Sequence, residues 1–444
     1  MNTKWLIAVV VLVAAVLAGA AQGATFPCPF KRIDLDNGFR AYLIRAGGPG
    51  QIAYVTVVRT GSRDEWEPGR SGYAHFFEHM MFRGTKKYPD YNRILTQIGA
   101  DHNAFTSDDM TVYYVVASSE SLPQVMDLEA DRFKNLDYSE SDFRVEAGAV
   151  LGEFNQGRAN PFLHLYEAIR GTAFTRHTYR HLTIGLEPDV RSMPEGFEYS
   201  RSFFRRYYRP ENCVLLLAGD FDWDEAERLI REHYADWEPG YVPPKIQPEP
   251  EQKEARRKEV YFPGQTVPTL ALNFKGPAWS ATDRTVVAAR LLGELAYGEN
   301  SDVYRRLVLE ERKVQRLMAD FEPPRDPGLL SVIAMVPRQD QLPEVEEALL
   351  ATAQRFREEP CDAARLADTK KAFRYGFLMG LETAQQTAFS LLEFVVATGG
   401  IEAVEDYFAT LDAVTPEDIQ RAAQTYLRPE RLTTVVLYPQ EARQ

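Results

Sequence analysis

Cysteine is scarce. Cys28, Cys213 and Cys361 are the only three in 444 residues, and no two stand as C-x-x-C. That excludes a disulfide framework and a thiolate metal site, and leaves at most one bridge with one spare thiol. An excess of positive charge is absent as well: 51 Lys and Arg against 64 Asp and Glu give a net charge of −13. Such a chain repels nucleic acid and anionic lipid, so neither is expected as a partner. Histidine is rare, at 7 residues, so any clustering of it carries information. Low-complexity and collagen-like stretches are missing; 45% hydrophobic and 26% charged residues are globular usage, and a packed core is expected.

Long apolar runs are missing except at the N-terminus. There Lys4 precedes an uncharged apolar stretch over residues 5–17, followed by Ala- and Gly-rich residues up to Ala24. This is the pattern of a signal peptide over residues 1–24, and it directs the mature chain to the periplasm or cell envelope. The apolar stretch is short for a bilayer span of about 20 residues, and only with the alanines does it approach one, so a retained N-terminal anchor is the alternative. No membrane span is expected after signal cleavage. Phe26 and Pro27 before Cys28 exclude a lipid-attachment site.

The mature chain reads as two halves. Tyr207-Tyr208-Arg209-Pro210-Glu211 precedes a strand-like run over 213–218, and Tyr426-Leu427-Arg428-Pro429-Glu430 precedes another over 432–437. Each follows a long helical pattern, which marks two structural repeats. A Pro-rich, charged segment over 241–257 suits a linker, placing one domain at 25–240 and a second at 258–444. Alternating strands over 52–58 and 111–117 mix with periodic helices over 122–136 and 224–234. The expected fold is α+β: two similar repeats, each a mostly antiparallel sheet packed with helices.

His75-Phe76-Phe77-Glu78-His79 is the most informative pentapeptide. On a helix, positions i and i+4 share a face, so both imidazoles reach one ion with Glu78 beside them. Two neutral nitrogens and an adjacent carboxylate suit zinc-assisted hydrolysis, and H-x-x-E-H is the inverse of the H-E-x-x-H motif. Taken alone, the pentapeptide also fits two surface histidines beside a solvated glutamate. His102, His164, His177, His181 and His233 lack such spacing and read as structural or exposed.

The flanking residues decide between these. Gly61-Ser62-Arg63-Asp64-Glu65, Ser71-Gly72-Tyr73-Ala74 and Met80-Met81-Phe82-Arg83-Gly84-Thr85 surround the motif. Asn103-Ala104-Phe105-Thr106, a run over 109–114, Leu128-Glu129-Ala130-Asp131-Arg132, and Tyr208-Arg209-Pro210 with Gly219-Asp220 follow. In these stretches the chain resembles the pitrilysin or insulinase family of zinc peptidases, strongly in its first half and weakly in its second.

The resemblance implies half of a clam-shell chamber holding one zinc ion per chain. A catalytic zinc takes three protein ligands and keeps one position open. By family pattern the third ligand, after His75 and His79, is Glu153, in a helix that Ser139 or Asp142 caps. Glu146 is by the same pattern a carboxylate close to the site, and Glu78 is the base that takes a proton from water. Asn103, Ala104 and Phe105 correspond to an edge strand to which an extended peptide adds, so substrates are expected to be unstructured peptides. The pattern breaks in the second half, where family members carry an Arg and a Tyr; the aligned positions hold Val308 and Gln315. The expected unit is therefore a homodimer, or a heterodimer with a related subunit that supplies the missing pair. The activity implied is that of a zinc metalloendopeptidase; the alternative is a non-catalytic peptide-binding envelope subunit of a larger complex.

Overall fold

The computed structural model describes residues 25–440, so the signal peptide expected over 1–24 lies outside the described residues. Six strands form a first sheet: β1 (Phe30–Asp34), β2 (Arg40–Arg45), β3 (Gln51–Val58), β4 (Asp101–Thr106), β5 (Thr111–Ser118) and β6 (Cys213–Gly219). Five form a second: β7 (Arg256–Phe262), β8 (Thr269–Lys275), β9 (Arg316–Asp320), β10 (Leu329–Met335) and β11 (Leu432–Pro439). Their orders are β1-β2-β6-β3-β5-β4 and β7-β11-β8-β10-β9. With β1 set aside the two orders superimpose, and each sheet holds one parallel pair, β2 with β6 and β7 with β11, all other neighbours being antiparallel. The fold is thus the α+β pair of repeats expected from the sequence.

Strand composition shows why both faces of each sheet are covered. Along β3 every residue after Gln51 is buried, which is the signature of a strand enclosed on both faces rather than of one face in water. Ile52, Tyr54 and Val58 pack with helix α1 (Tyr73–Met80) and helix α2 (Leu122–Asn135) of the first half. Ala53, Val55 and Val57 point the other way, into a core shared with the helices Ala384–Ser390 and Leu392–Thr398 of the second half. The exchange is reciprocal. Helix α3 (Glu140–Gly157), capped by Ser139 in a box with Asp142, leads into helix α4 (Pro161–Ala173), whose Leu165 and Ile169 pack on Phe262, Ala271, Val435 and Leu437 of the second sheet.

The stretch between Tyr234 and Arg256 holds no helix or strand, yet it is tied to both halves. Glu249 accepts the backbone N–H groups of Thr175, Arg176 and His177, and the Gln252 amide donates to the carbonyls of Glu430 and Leu432. The three cysteines are free thiols, Cys213 buried within β6. No single helix among the described residues is long and apolar enough to cross a membrane.

Candidate metal centre

Helix α1 is eight residues long and sorts its side chains sharply. Phe76, Phe77 and Met80 are fully buried; Phe76 meets Phe143 of α3 edge-on at 5.0 Å, and Phe77 stacks on Phe203 at 5.4 Å. That apolar stripe fixes the helix by its back and turns His75, Glu78 and His79 to the opposite side, as the i, i+3, i+4 spacing requires. Glu153, four residues before the end of α3, faces them.

The geometry converges on a point. Glu153 Oε2 lies 3.6 Å from His75 Nε2 and 3.5 Å from His79 Nε2, and the three donor atoms fall within 4.8 Å of one another. Tetrahedral zinc with bonds of about 2.0–2.1 Å separates its ligand atoms by about 3.3 Å, so the donor set fits the ion with little movement. Among the described residues this is the one group of three or more His, Cys, Asp or Glu side chains arranged so. Burial, with His79 adding to it, lowers the His75 pKa to about 4, which keeps its imidazole in the neutral, metal-binding form.

Glu146 stands behind His79. Its Oε1 accepts from His79 Nδ1 at 3.1 Å, while Arg83 donates to Oε2 from Nε at 2.8 Å and from Nη2 at 2.6 Å. The hydrogen bond from His79, helped by Arg83, holds the Glu146 carboxyl below its usual range and raises that of His79. A carboxylate so placed fixes the His79 tautomer with Nε2 free toward the ion. Glu78 stays outside the donor set. Its Oε2 accepts from Thr106 Oγ1 at 2.6 Å, and burial pushes its carboxyl up.

Thr106 closes strand β4, which contains Asn103, Ala104 and Phe105 and forms the edge of the first sheet. Ala104 pairs in register with Tyr113 of β5, and its N–H donates to the Asn103 side-chain oxygen at 2.9 Å. All hydrogen bonds and ion pairs of His75, Glu78, His79, Glu146 and Glu153 among the described residues stay within the first half. Val308 sits in a π-helical turn, Arg305–Glu310, and Gln315 precedes β9. Arg83 and Thr106 received no role from the sequence. Arg83 follows His79 by four residues but lies past the end of α1, and Thr106 has no local signature, because only the sheet edge brings it to Glu78.

Comparison with known proteins identifies the family. Residues 48–185 match the insulinase (peptidase family M16) domain, and residues 197–373 match the peptidase M16 inactive domain. Zinc protease PqqE of Helicobacter pylori is 26% identical over 434 residues, 96% of each chain. The beta subunit of the mitochondrial-processing peptidase of Bos taurus is 30% identical over 223 residues, covering 49% of this chain and 44% of that one. The crystal structure of a protease from Helicobacter pylori superimposes with a TM-score of 0.86 at 25% identity, over 93% of this chain and 100% of that one. Two M16 domains in tandem, a relative matched nearly end to end and an H-x-x-E-H helix opposite a glutamate together establish that the chain belongs to the M16 (insulinase) peptidase family.

Proposed function

We propose that the chain is a zinc-dependent endopeptidase acting on unstructured peptides, with zinc held by His75, His79 and Glu153. The observation that carries this is the convergence of three donor atoms beside a carboxylate that is not one of them. Zinc bound there supplies Lewis-acid polarisation of the scissile carbonyl and a lowered pKa for water. Glu78 takes up the proton of the attacking water on its carboxylate and returns it to the leaving amine. Its upward-shifted pKa brings it closer to neutral pH, where a group serves both as base and as acid. Thr106 orients that carboxylate through Oε2, and Glu146 and Arg83 orient His79. Edge strand β4, which carries Asn103, Ala104 and Phe105, offers a main-chain edge to which an extended peptide adds.

We infer that a second subunit, an identical chain or a related one, completes the site with the Arg and Tyr absent at Val308 and Gln315. Confinement of the site's bonds to the first half and the relative named as a subunit support this. The pattern over residues 1–24 supports export to the periplasm or cell envelope. The test is hydrolysis of an unstructured quenched-fluorescent peptide by the purified chain, with and without chelator, and zinc measured on the same sample. Chelator-sensitive cleavage is expected. Zinc without cleavage assigns the missing groups to a separate partner, and neither zinc nor cleavage favours a non-catalytic peptide-binding subunit, the reading that the inactive-domain match over 197–373 also accommodates.

A further inference from the structure

Helix α1 starts without a cap of its own. Its N-cap is Gly72, which has no side chain to offer and sits at φ +92°; a Cβ there would lie 2.8 Å from the Ile184 carbonyl oxygen, so no capping residue fits. The N–H groups of a first helical turn are nonetheless unpaired within the helix, and buried ones must find an acceptor. They find Glu65, which reaches in from the loop upstream. Its Oε2 accepts from Gly72 N at 2.7 Å and its Oε1 from Ala74 N at 2.7 Å. The side chain is 0% exposed, and the nearest basic atom, His181 Nδ1, is 3.8 Å from Oε2. Both oxygens accept at short length from N–H groups at the positive end of the helix; burial pushes the carboxyl well above its usual range, and these two backbone donors work against that push.

From this arrangement we infer that Glu65 is a positioning residue of the metal centre, fixing the first turn of α1 and with it the ligand His75. The inference rests on the proposed zinc site. Its logic is one of length: an eight-residue helix is only about two turns and frays readily from an uncapped end. His75 directly follows the Ala74 amide that Glu65 holds. Fraying would withdraw His75 while leaving His79, anchored from the other side by Glu146, in place. Sequence pattern hides this link, because the acceptor lies in a separate loop and obeys no capping spacing.

The test compares the full-length wild type with Glu65→Gln, which keeps the shape but leaves one of the two N–H groups facing an amide NH2. Zn²⁺ affinity is measured by competition with a coloured chelator, together with kcat and KM on the peptide and the melting temperature. Zinc affinity is expected to fall about 10- to 100-fold, as for other groups that orient a ligand. In a chain carrying zinc at limiting concentration kcat falls while KM stays within about twofold, since the peptide-binding edge is untouched. Val436→Ala, in the second sheet, is the comparison: it lowers the melting temperature and leaves zinc affinity at the wild-type value. A folded Glu65→Gln chain with wild-type zinc affinity overturns the inference. Should that variant not fold, Glu65→Asp retains the carboxyl group but shortens the reach, and wild-type zinc affinity in it overturns the inference equally. A wild-type chain that binds no zinc overturns the proposed function and this inference with it; a zinc-binding, active wild type matched by Glu65→Gln overturns the inference alone.

Discussion

Glu78 and Glu146 are both carboxylates within the same cluster, and their surroundings shift them in opposite directions. Glu78, half-enclosed with one hydroxyl donor, is pushed toward neutral pH; Glu146, receiving His79 and Arg83, is held charged. Glu78→Gln is therefore expected to keep zinc at full occupancy and lose about 10²- to 10⁴-fold in kcat, read by metal analysis and peptide turnover on one preparation. His75→Ala or His79→Ala is expected to lose the metal itself. Another buried charge tests the pH dependence of stability. Lys275 Nζ has no hydrogen-bond partner, lies 3.5 Å from the Phe174 ring centroid and 3.9 Å from Glu249, and burial lowers its pKa to about 7. A lysine depressed in the folded state binds fewer protons there than in the unfolded chain, so stability rises with pH between about 7 and 10 and the penalty is complete below 7. Lys275→Met removes that penalty, and Glu249 keeps its three backbone donors. The variant is expected to gain about 1–3 kcal/mol at pH 7 and to show a flatter rise of stability with pH in denaturant titrations.

At the scale of elements, helix α1 and strand β4 each carry a legible and an illegible part. The two histidines and Glu78 follow from helical period alone, because i, i+3 and i+4 share a face whatever surrounds them. Glu153 came only through family resemblance, since nothing in a distant helix announces that it crosses the motif. For β4 the strand was foreseen, but the bond between the Asn103 side chain and the Ala104 N–H was not: it depends on how the side chain is held at the sheet edge. Ala104→Pro removes a main-chain donor from the edge strand, where proline is tolerated. If peptides add along this edge, KM for an unstructured peptide rises about tenfold or more with zinc content unchanged; an unaltered KM would remove β4 from substrate binding. Ser139→Ala, which deletes the cap of α3, is expected to cost about 1 kcal/mol in thermal unfolding.

The whole molecule is two repeats that cover each other's sheets. Ala53, Val55 and Val57 on one side, and Ala271, Val435 and Leu437 on the other, are buried only because helices from the opposite half lie on them. Residues 25–240 expressed alone would expose the back of β3 and β6, a contiguous apolar face of the kind that aggregates. The isolated first half is expected to be insoluble or to lack zinc, and co-expression with residues 241–440 to restore a soluble, zinc-binding complex, checked by size-exclusion chromatography with metal analysis. A soluble, zinc-loaded isolated half would show that the exchange is dispensable.

The sequence by itself determined that His75, Glu78 and His79 share a face of α1, that strands run near 52–58, 111–117, 213–218 and 432–437, and that the chain repeats, since these depend on spacing within a few residues. Tertiary structure alone decided that Glu153 Oε2 meets both imidazoles, that Glu65 caps the helix carrying them, and that each half roofs the other's sheet. Those contacts join residues far apart in the chain, and no local period encodes a distance between segments that only the packed core brings together.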